Sequence, residues 1–404
     1  MARVLLVLPT GSYRAADYVA AAESLGVELA IASEEDPPLG MGDRFVRIDC
    51  SRPEQAAEAL VDLATTTPVD AIVPADDSGV VVAALAAERL GLPHNPPHAA
   101  AATRNKAMMR RLLERGEVPQ PTFRVVTSND DPASVAEEVG YPAVVKPLSL
   151  QGSRGVMRVD DPAEARAAVE RVRRILVEAG ANPNEPVLIE EYMPGAEVAV
   201  EAMLWGGELE ILAVFDKPDP LEGPYFEETL YVTPSRLHPE VLDEVFDVTR
   251  RAVNAIGLRE GPIHAELRIG NGIVRVVEVA ARTIGGLCSR SLRFGLLGTP
   301  LEALVLRHGL GMRKPGLRRE PTASGVMMLP IPGEGTLLGV EGVEDARAVP
   351  GVTEVDVTVP IGGRLRPLPE GDRYVGFVFA RGGSPDDVEA TLRHAASLIR
   401  FRVG

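Results

Sequence analysis

The chain has 404 residues, 45% hydrophobic and 25% charged, which is enough for packed cores in about two to four domains. A net charge of −16 with no basic stripe argues against a nucleic-acid-binding surface, and no apolar run reaches the length of a membrane span. Two cysteines, Cys50 and Cys288, lack any partner motif and fit a reduced, cytoplasmic setting rather than a disulfide framework.

The first hundred residues alternate strand and helix. Apolar runs at 4–8, 27–32 and 71–74 read as buried strands. Helices are expected up to residue 25, over 53–64, and up to residue 90, where Gly91 stops the last. This is a doubly wound α/β pattern. No G-x-G-x-x-G follows the first strand, so no cofactor is assigned to this unit. Pro93, Pro96 and Pro97 mark a boundary. A helix is expected over 99–115, carrying Arg104-Asn105-Lys106. A strand (122–126), a helix opened by Asp131-Pro132, and a strand ending on Lys146 follow. Beyond a glycine-bearing loop come a strand (157–159), a helix from Asp161 to about residue 179, and strands at 187–190 and 198–204. Residues 215–235 read as a long surface loop with Asp216, Lys217 and Glu228. A helix over 239–256 precedes a hairpin. After about residue 320, strands at 324–329, 352–357 and 374–379 and a helix capped by Ser384 form a separate α+β unit. The expected division is 1–97, 98–320 (with a small lobe over 118–193) and 321–404.

Three stretches carry chemistry. After Lys146, the loop with Gln151, Gly152, Ser153 and Gly155 allows backbone N–H groups to approach phosphate oxygens, though G-x-x-x-x-G-K-[ST] is absent. Taken alone, most such stretches are ordinary strand-connecting loops. The strand ending in Glu190, Glu191, Tyr192 and Met193, with Glu197 beyond a Pro194-Gly195 turn, offers backbone to a purine edge and an acid to a ribose. Alone, it is equally a polar turn. The third is the hairpin on Asn271-Gly272, which carries His264, Glu266 and Glu278. With a three-residue loop, His264 faces Glu278 and Glu266 lies one step along the same face. Two adjacent carboxylates cost several kcal/mol to bury unless a cation joins them. Magnesium takes a few carboxylates plus phosphate oxygens, which points to a nucleotide. The competing reading is a solvated hairpin with scattered acids.

Taken in order, Lys106, Lys146 with its glycine loop, Glu190 to Glu197, His264-x-Glu266 and Glu278-x-x-x-Arg282 resemble the ATP-grasp superfamily over about residues 1–320. The resemblance implies a Rossmann-like first domain, a two-lobed ATP-grasp domain and a C-terminal α+β unit. It implies ATP with Mg2+ (or Mn2+) as cofactors. Lys106 and Lys146 would sit on phosphates under the loop of residues 151–155. Glu190 and the backbone of Glu191, Tyr192 and Met193 would hold adenine, and Glu197 the ribose. Glu266 and Glu278 would be the metal ligands. Arg282, with backbone near Gly285 and Gly286, would stabilise the reacting centre. Ala280 stands where many members carry a metal-binding Asn. Arg282-Thr283-Ile284-Gly285-Gly286 and the terminal unit resemble the L-amino acid ligase and carnosine synthase branch. That branch implies an ATP-dependent carboxylate–amine ligase acting through an acyl phosphate on small-molecule substrates, with no nucleic-acid or membrane partner and a homodimer as the expected assembly. His264 and Glu228 are assigned to the substrate region. The alternatives are a biotin carboxylase-like or purine-pathway ligase and a non-catalytic ATP-binding module.

Overall fold

The computed structural model describes residues 1–10, 12–36, 42–313 and 317–404. The first unit is a parallel sheet in the order Phe45–Arg47, Glu28–Ser33, Arg3–Val7, Ala71–Pro74. Arg3–Val7 lies between two neighbours, and Val4, Leu5, Leu6 and Val7 are fully buried, as an unbroken apolar run requires. The short strand Phe45–Arg47 was not expected. Turns leaving the carboxyl ends of Arg3–Val7 and Ala71–Pro74 border the cleft, the usual ligand side of such sheets.

The helix expected over 99–115 is two helices, Pro97–Thr103 and Lys106–Arg115. Asn105 breaks it by adopting extended backbone and accepting a bond from Met108 N at 3.0 Å, an N-cap. The break puts Arg104 and Lys106 on the cavity wall.

The small lobe is an antiparallel sheet in the order Phe123–Val126, Val187–Glu191, Ala143–Pro147, Met157–Val159. Helices Pro132–Val139 and Pro162–Glu178 pack against it. Both begin on a capping aspartate followed by proline, Asp131 and Asp161.

The largest sheet has eight antiparallel strands. Its order is Ile273–Ala280, Gly261–Gly270, Ala196–Trp205, Glu208–Lys217, Leu230–Thr233, Ala323–Leu329, Gly376–Gly382, Val352–Val357. The loop read at 215–235 is therefore shorter: Lys217 ends one strand, and Leu230–Thr233 is another. Alternation inside these strands was hidden by the Pro, Gly and acids between them. The strands after residue 320 join this sheet through the pairing of Leu230–Thr233 with Ala323–Leu329, while their other face packs a core of its own with helix Pro385–Leu398. Helices Pro239–Ile256 and Lys106–Arg115 bury one face of the hairpin end. Helix Leu301–Gly309 and strands Gly335–Glu341 and Arg400–Val403 were not expected. Among the described residues, no helix is long and apolar enough to cross a membrane.

Candidate active site

A cavity of about 540 Å3 lies where the first unit, the small lobe and the large sheet meet. Every residue assigned above to a site, except Gly155, lines it. The tertiary structure thus gathers groups separated by up to 180 positions of sequence.

On one side are the lysines. Lys106 Nζ donates to Leu150 O at 2.7 Å and stands 3.4 Å from Glu278 Oε1. Lys146 Nζ stands 2.6 Å from Glu190 Oε2. Glu190 also accepts from Arg110, Nε at 2.5 Å and Nη2 at 3.2 Å, and is fully buried. Burial alone would raise its pKa, but Arg110 and Lys146 override this and hold it at about 2. The Glu190 side chain, expected at adenine, is therefore committed to an ion triad that fixes Lys146. In the loop above, Gly152, Ser153 and Gly155 all have positive φ, and Gly155 N donates to Pro369 O at 2.8 Å. With its amide oriented to satisfy its neighbours, Gln151 donates to Asp77 Oδ2 at 2.9 Å and accepts from Arg104 Nη2 at 3.0 Å.

Beyond the lysines is an apolar slot of Val144, Leu221 and Phe226 with Val156 and Tyr192. Tyr192 and Phe226 stack with centroids 6.4 Å apart, which leaves flat walls suited to a base. The backbone of residues 191–193 is tied down by Glu191 N to Thr122 O (2.8 Å), Tyr192 N to Pro142 O (3.1 Å) and Arg268 Nη1 to Met193 O (2.6 Å). Glu197 accepts from Arg268 Nε at 2.6 Å and from Lys217 at 2.7 Å.

The hairpin register differs from the expectation. Asn271 and Gly272 both have positive φ and form a two-residue turn, and a bulge falls between Glu266 and Leu267. Glu266 therefore pairs directly with Glu278, and His264 with Ala280. The shorter turn and the bulge each shift the pairing by one residue in the same direction, and the two-residue total keeps Glu266 and Glu278 on one face. Glu266 Oε1 receives Lys217 Nζ at 3.0 Å and His264 Nε2 at 3.3 Å. His264 Nδ1 meets buried Glu201 at 2.5 Å. Burial would lower the His264 pKa, but Glu201 raises it to about 9, so the ring is a cation that holds Glu266 in place. Carboxylate oxygens of Glu197, Glu228 and Glu266 lie within 4.8 Å of one another, a spacing that suits a metal. Lys217 Nζ already binds all three, at 2.7, 2.5 and 3.0 Å. Burial and the neighbouring Glu266 push the Glu228 pKa up to about 7 against the pull of Lys217.

Arg282 Nε donates to Asp77 Oδ2 at 2.8 Å, and Nη1 to Thr283 O at 2.8 Å. The turn that follows is clamped from both sides. Glu201 accepts from Ile284 N at 3.0 Å, and fully buried Arg14 reaches Thr283, Ile284 O and Ala75 O from the first unit. Gly286 has φ 57°, and a Cβ there would stand 3.0 Å from the Phe377 ring. Asp372, Arg373 and Tyr374 of the C-terminal unit close the wall.

Sequence reasoning missed Arg14, Asp77, Arg110, Glu201 and Arg268 as members of this region and placed Lys217 on a loop, lining the amine entrance, forming a lid or lying plainly on the surface. Some signal was present: Glu201 and Arg268 are charges flanked on both sides by apolar residues within strands. Arg14 and Asp77 carried none, since each meets its partner across more than 200 residues.

Three family models match along the chain. Residues 19–94 match the ATP-grasp N-terminal domain, 139–291 the ATP-grasp domain, and 327–404 the L-amino acid ligase C-terminal domain 2. The chain belongs to the ATP-grasp superfamily. Within it, the chain resembles the L-amino acid ligase-like branch. The crystal structure of L-amino acid ligase from Bacillus licheniformis superposes with a TM-score of 0.83 at 25% identity, covering 100% of this chain and 99% of that one. Alanine–anticapsin ligase of Bacillus subtilis is 28% identical over 249 residues, 57% of this chain and 52% of that ligase. Carnosine synthase 1 of Gallus gallus is 28% identical over 328 residues, 76% of this chain and 35% of that enzyme. The chain thus spans about half the length of the alanine–anticapsin ligases that it matches.

Proposed function

We propose that the chain is an ATP-dependent carboxylate–amine ligase that forms an amide or peptide bond through an acyl phosphate and releases ADP and phosphate. The observation that carries this reading is the meeting of Lys106 and Glu278 at 3.4 Å, with Glu266 paired to Glu278 and Arg282 on the same cavity wall. One place then offers cations for phosphate, carboxylates for a metal and a guanidinium for the reacting oxygen.

The donor set fits magnesium. Glu278 is partly exposed to the cavity with Lys106 as its ion-pair partner among the described residues, and both nitrogen contacts of Glu266 fall on Oε1. Both are hard oxygen donors. Glu266 and Glu278 would hold the ion, which when bound neutralises phosphate charge. Lys146, held by Glu190, and Lys106 bind and orient the phosphates as point charges. The glycine loop covers them and excludes water. The carboxylate substrate attacks the γ-phosphorus, and the bond to the β,γ-bridging oxygen breaks, so positioning and charge neutralisation dominate. Arg282, fixed by Asp77, stabilises charge on the acyl phosphate and on the oxyanion formed when the amine adds. The clamp on residues 283–286 keeps Gly285 and Gly286 beside that centre.

The test is ADP release over all pairs of amino acids and over bicarbonate alone, with mass detection of products. An amide product with one equivalent of ADP supports the proposal. Bicarbonate-dependent release without any amino acid would replace it with a carboxylase-type reaction. ATP binding with no phosphate release across the panel would replace it with a binding module.

A further inference from the structure

Charge on the cavity wall is almost completely paired among the described residues. The guanidiniums of Arg154, Arg268, Arg282 and Arg373 each have a carboxylate partner. The wall's other acids each have a cationic one, including Asp77 and Glu278. Two groups stand apart. Arg104 forms no ion pair and bonds only neutral oxygens, those of Gln151 and Ser149. Asp76 is half-buried, and its carboxylate has neither an ion pair nor a hydrogen bond, not even to the short helical turn that it precedes. Both flank the same feature. Asp76 is next in sequence to Asp77, which holds Arg282, and Gln151 joins Asp77 to Arg104.

We infer that Asp76 and Arg104 form the head-group subsite that holds the amine-donating amino acid. Its ammonium meets Asp76 and its carboxylate meets Arg104. Assigning the bound amino acid as amine donor rests on the ligase reading above. One unpaired acid and one unpaired guanidinium complement a zwitterion, and any singly charged molecule leaves one of them desolvated without a partner. The acid-donating substrate gives up its carboxylate to phosphorylation, so a standing pair with Arg104 suits the other substrate. Placement beside Asp77 also brings the nitrogen next to Arg282, where the acyl carbon is held.

The experiment compares amino acids with their decarboxylated amines, such as phenylalanine and phenethylamine, as amine donors. The wild type is expected to favour the amino acid in kcat/KM by roughly tenfold to a hundredfold, the value of a hydrogen bond to a charged group. Arg104→Met should abolish that preference, and Arg104→Lys should restore part of it. Asp76→Asn should raise KM for both amines by a similar factor. Equal use of both amines by the wild type, or a preference that survives Arg104→Met, would overturn the inference. Calorimetry with a non-hydrolysable ATP analogue separates the two proposals. Amino-acid binding that depends on Arg104, with no ligation for any pair, would overturn the ligase reading and leave the subsite standing. Absence of binding by every amino acid would remove the subsite.

Discussion

Arg282 and Glu190 show how single charges are held where apolar packing would otherwise exclude them. Arg282 is mostly buried, and Asp77 both offsets its desolvation and sets its direction. Replacing it with Ala should lower turnover by at least about a hundredfold, the loss typical of one oxyanion donor. Near-wild-type ADP release would remove it from the mechanism. Glu190 makes a prediction about stability. Its pKa in the fold, about 2, lies below its ordinary value near 4.5. The charge therefore stabilises the fold fully above the ordinary value, and this is lost as pH falls toward 2. Glu190→Gln leaves Arg110 and Lys146 buried without their partner and should cost about 3–5 kcal/mol at neutral pH. The difference in Tm from the wild type should shrink as pH approaches 2. A difference that stays constant over that range would show that the carboxylate charge is not what matters. The charged site residues with local sequence signals, such as Lys146 at a strand end and Glu278 near Arg282, were legible beforehand. Lys217 was not, because its meaning comes from Glu197, Glu228 and Glu266 on three other segments.

Among the elements, the hairpin of Gly261–Gly270 and Ile273–Ala280 and the turn at Pro194-Gly195 must nearly touch. A Cβ on Gly195 would stand 2.1 Å from Ile269 O, and one on Gly270 2.1 Å from Pro194 O. Gly195 also has φ 116°, which other residues rarely adopt. This contact ties the segment beside the apolar slot to the tip of the hairpin that carries Glu266 and Glu278. Gly195→Ala should destabilise the protein by roughly 1–3 kcal/mol through overpacking and raise KM for ATP. Thermal melting and ADP-release kinetics report both effects, and an unchanged melt would mean that the turn yields freely. The strands themselves were readable from alternation and from Asn271-Gly272. The bulge after Glu266 was not, since no residue there demands one, and together with the two-residue turn it sets which carboxylate faces which.

For the whole molecule, the site is complete only because three units close on one cavity. The small lobe is fastened to the C-terminal unit by Gly155 N to Pro369 O at 2.8 Å, Arg171 to Glu370 at 2.7 Å, Arg366 to Glu178 at 2.7 Å and the longer Arg154 to Asp372 pair at 3.7 Å. These are partly exposed pairs, each worth little to global stability. They act on the position of the glycine loop. Glu370→Ala should change Tm little, raise KM for ATP by roughly two- to fivefold, and make the loop around Gly152 more open to protease in the absence of nucleotide. Unaltered KM and cleavage would show that the loop closes without this fastening.

The order of lysines, glycine loop, acids and arginine along the chain was enough to determine the superfamily, the broad layout and the main charged groups of the cavity wall. These features depend on local periodicity and on motifs that span a few residues. The tertiary structure decided the hairpin register, the commitment of Glu190 and His264 to buried ion pairs, the lysine at the centre of three carboxylates, and the two charges left without partners. Each of these is a property of pairing, because a buried charge is stable only with its counterpart, and the counterparts here come from strands and turns far apart in sequence.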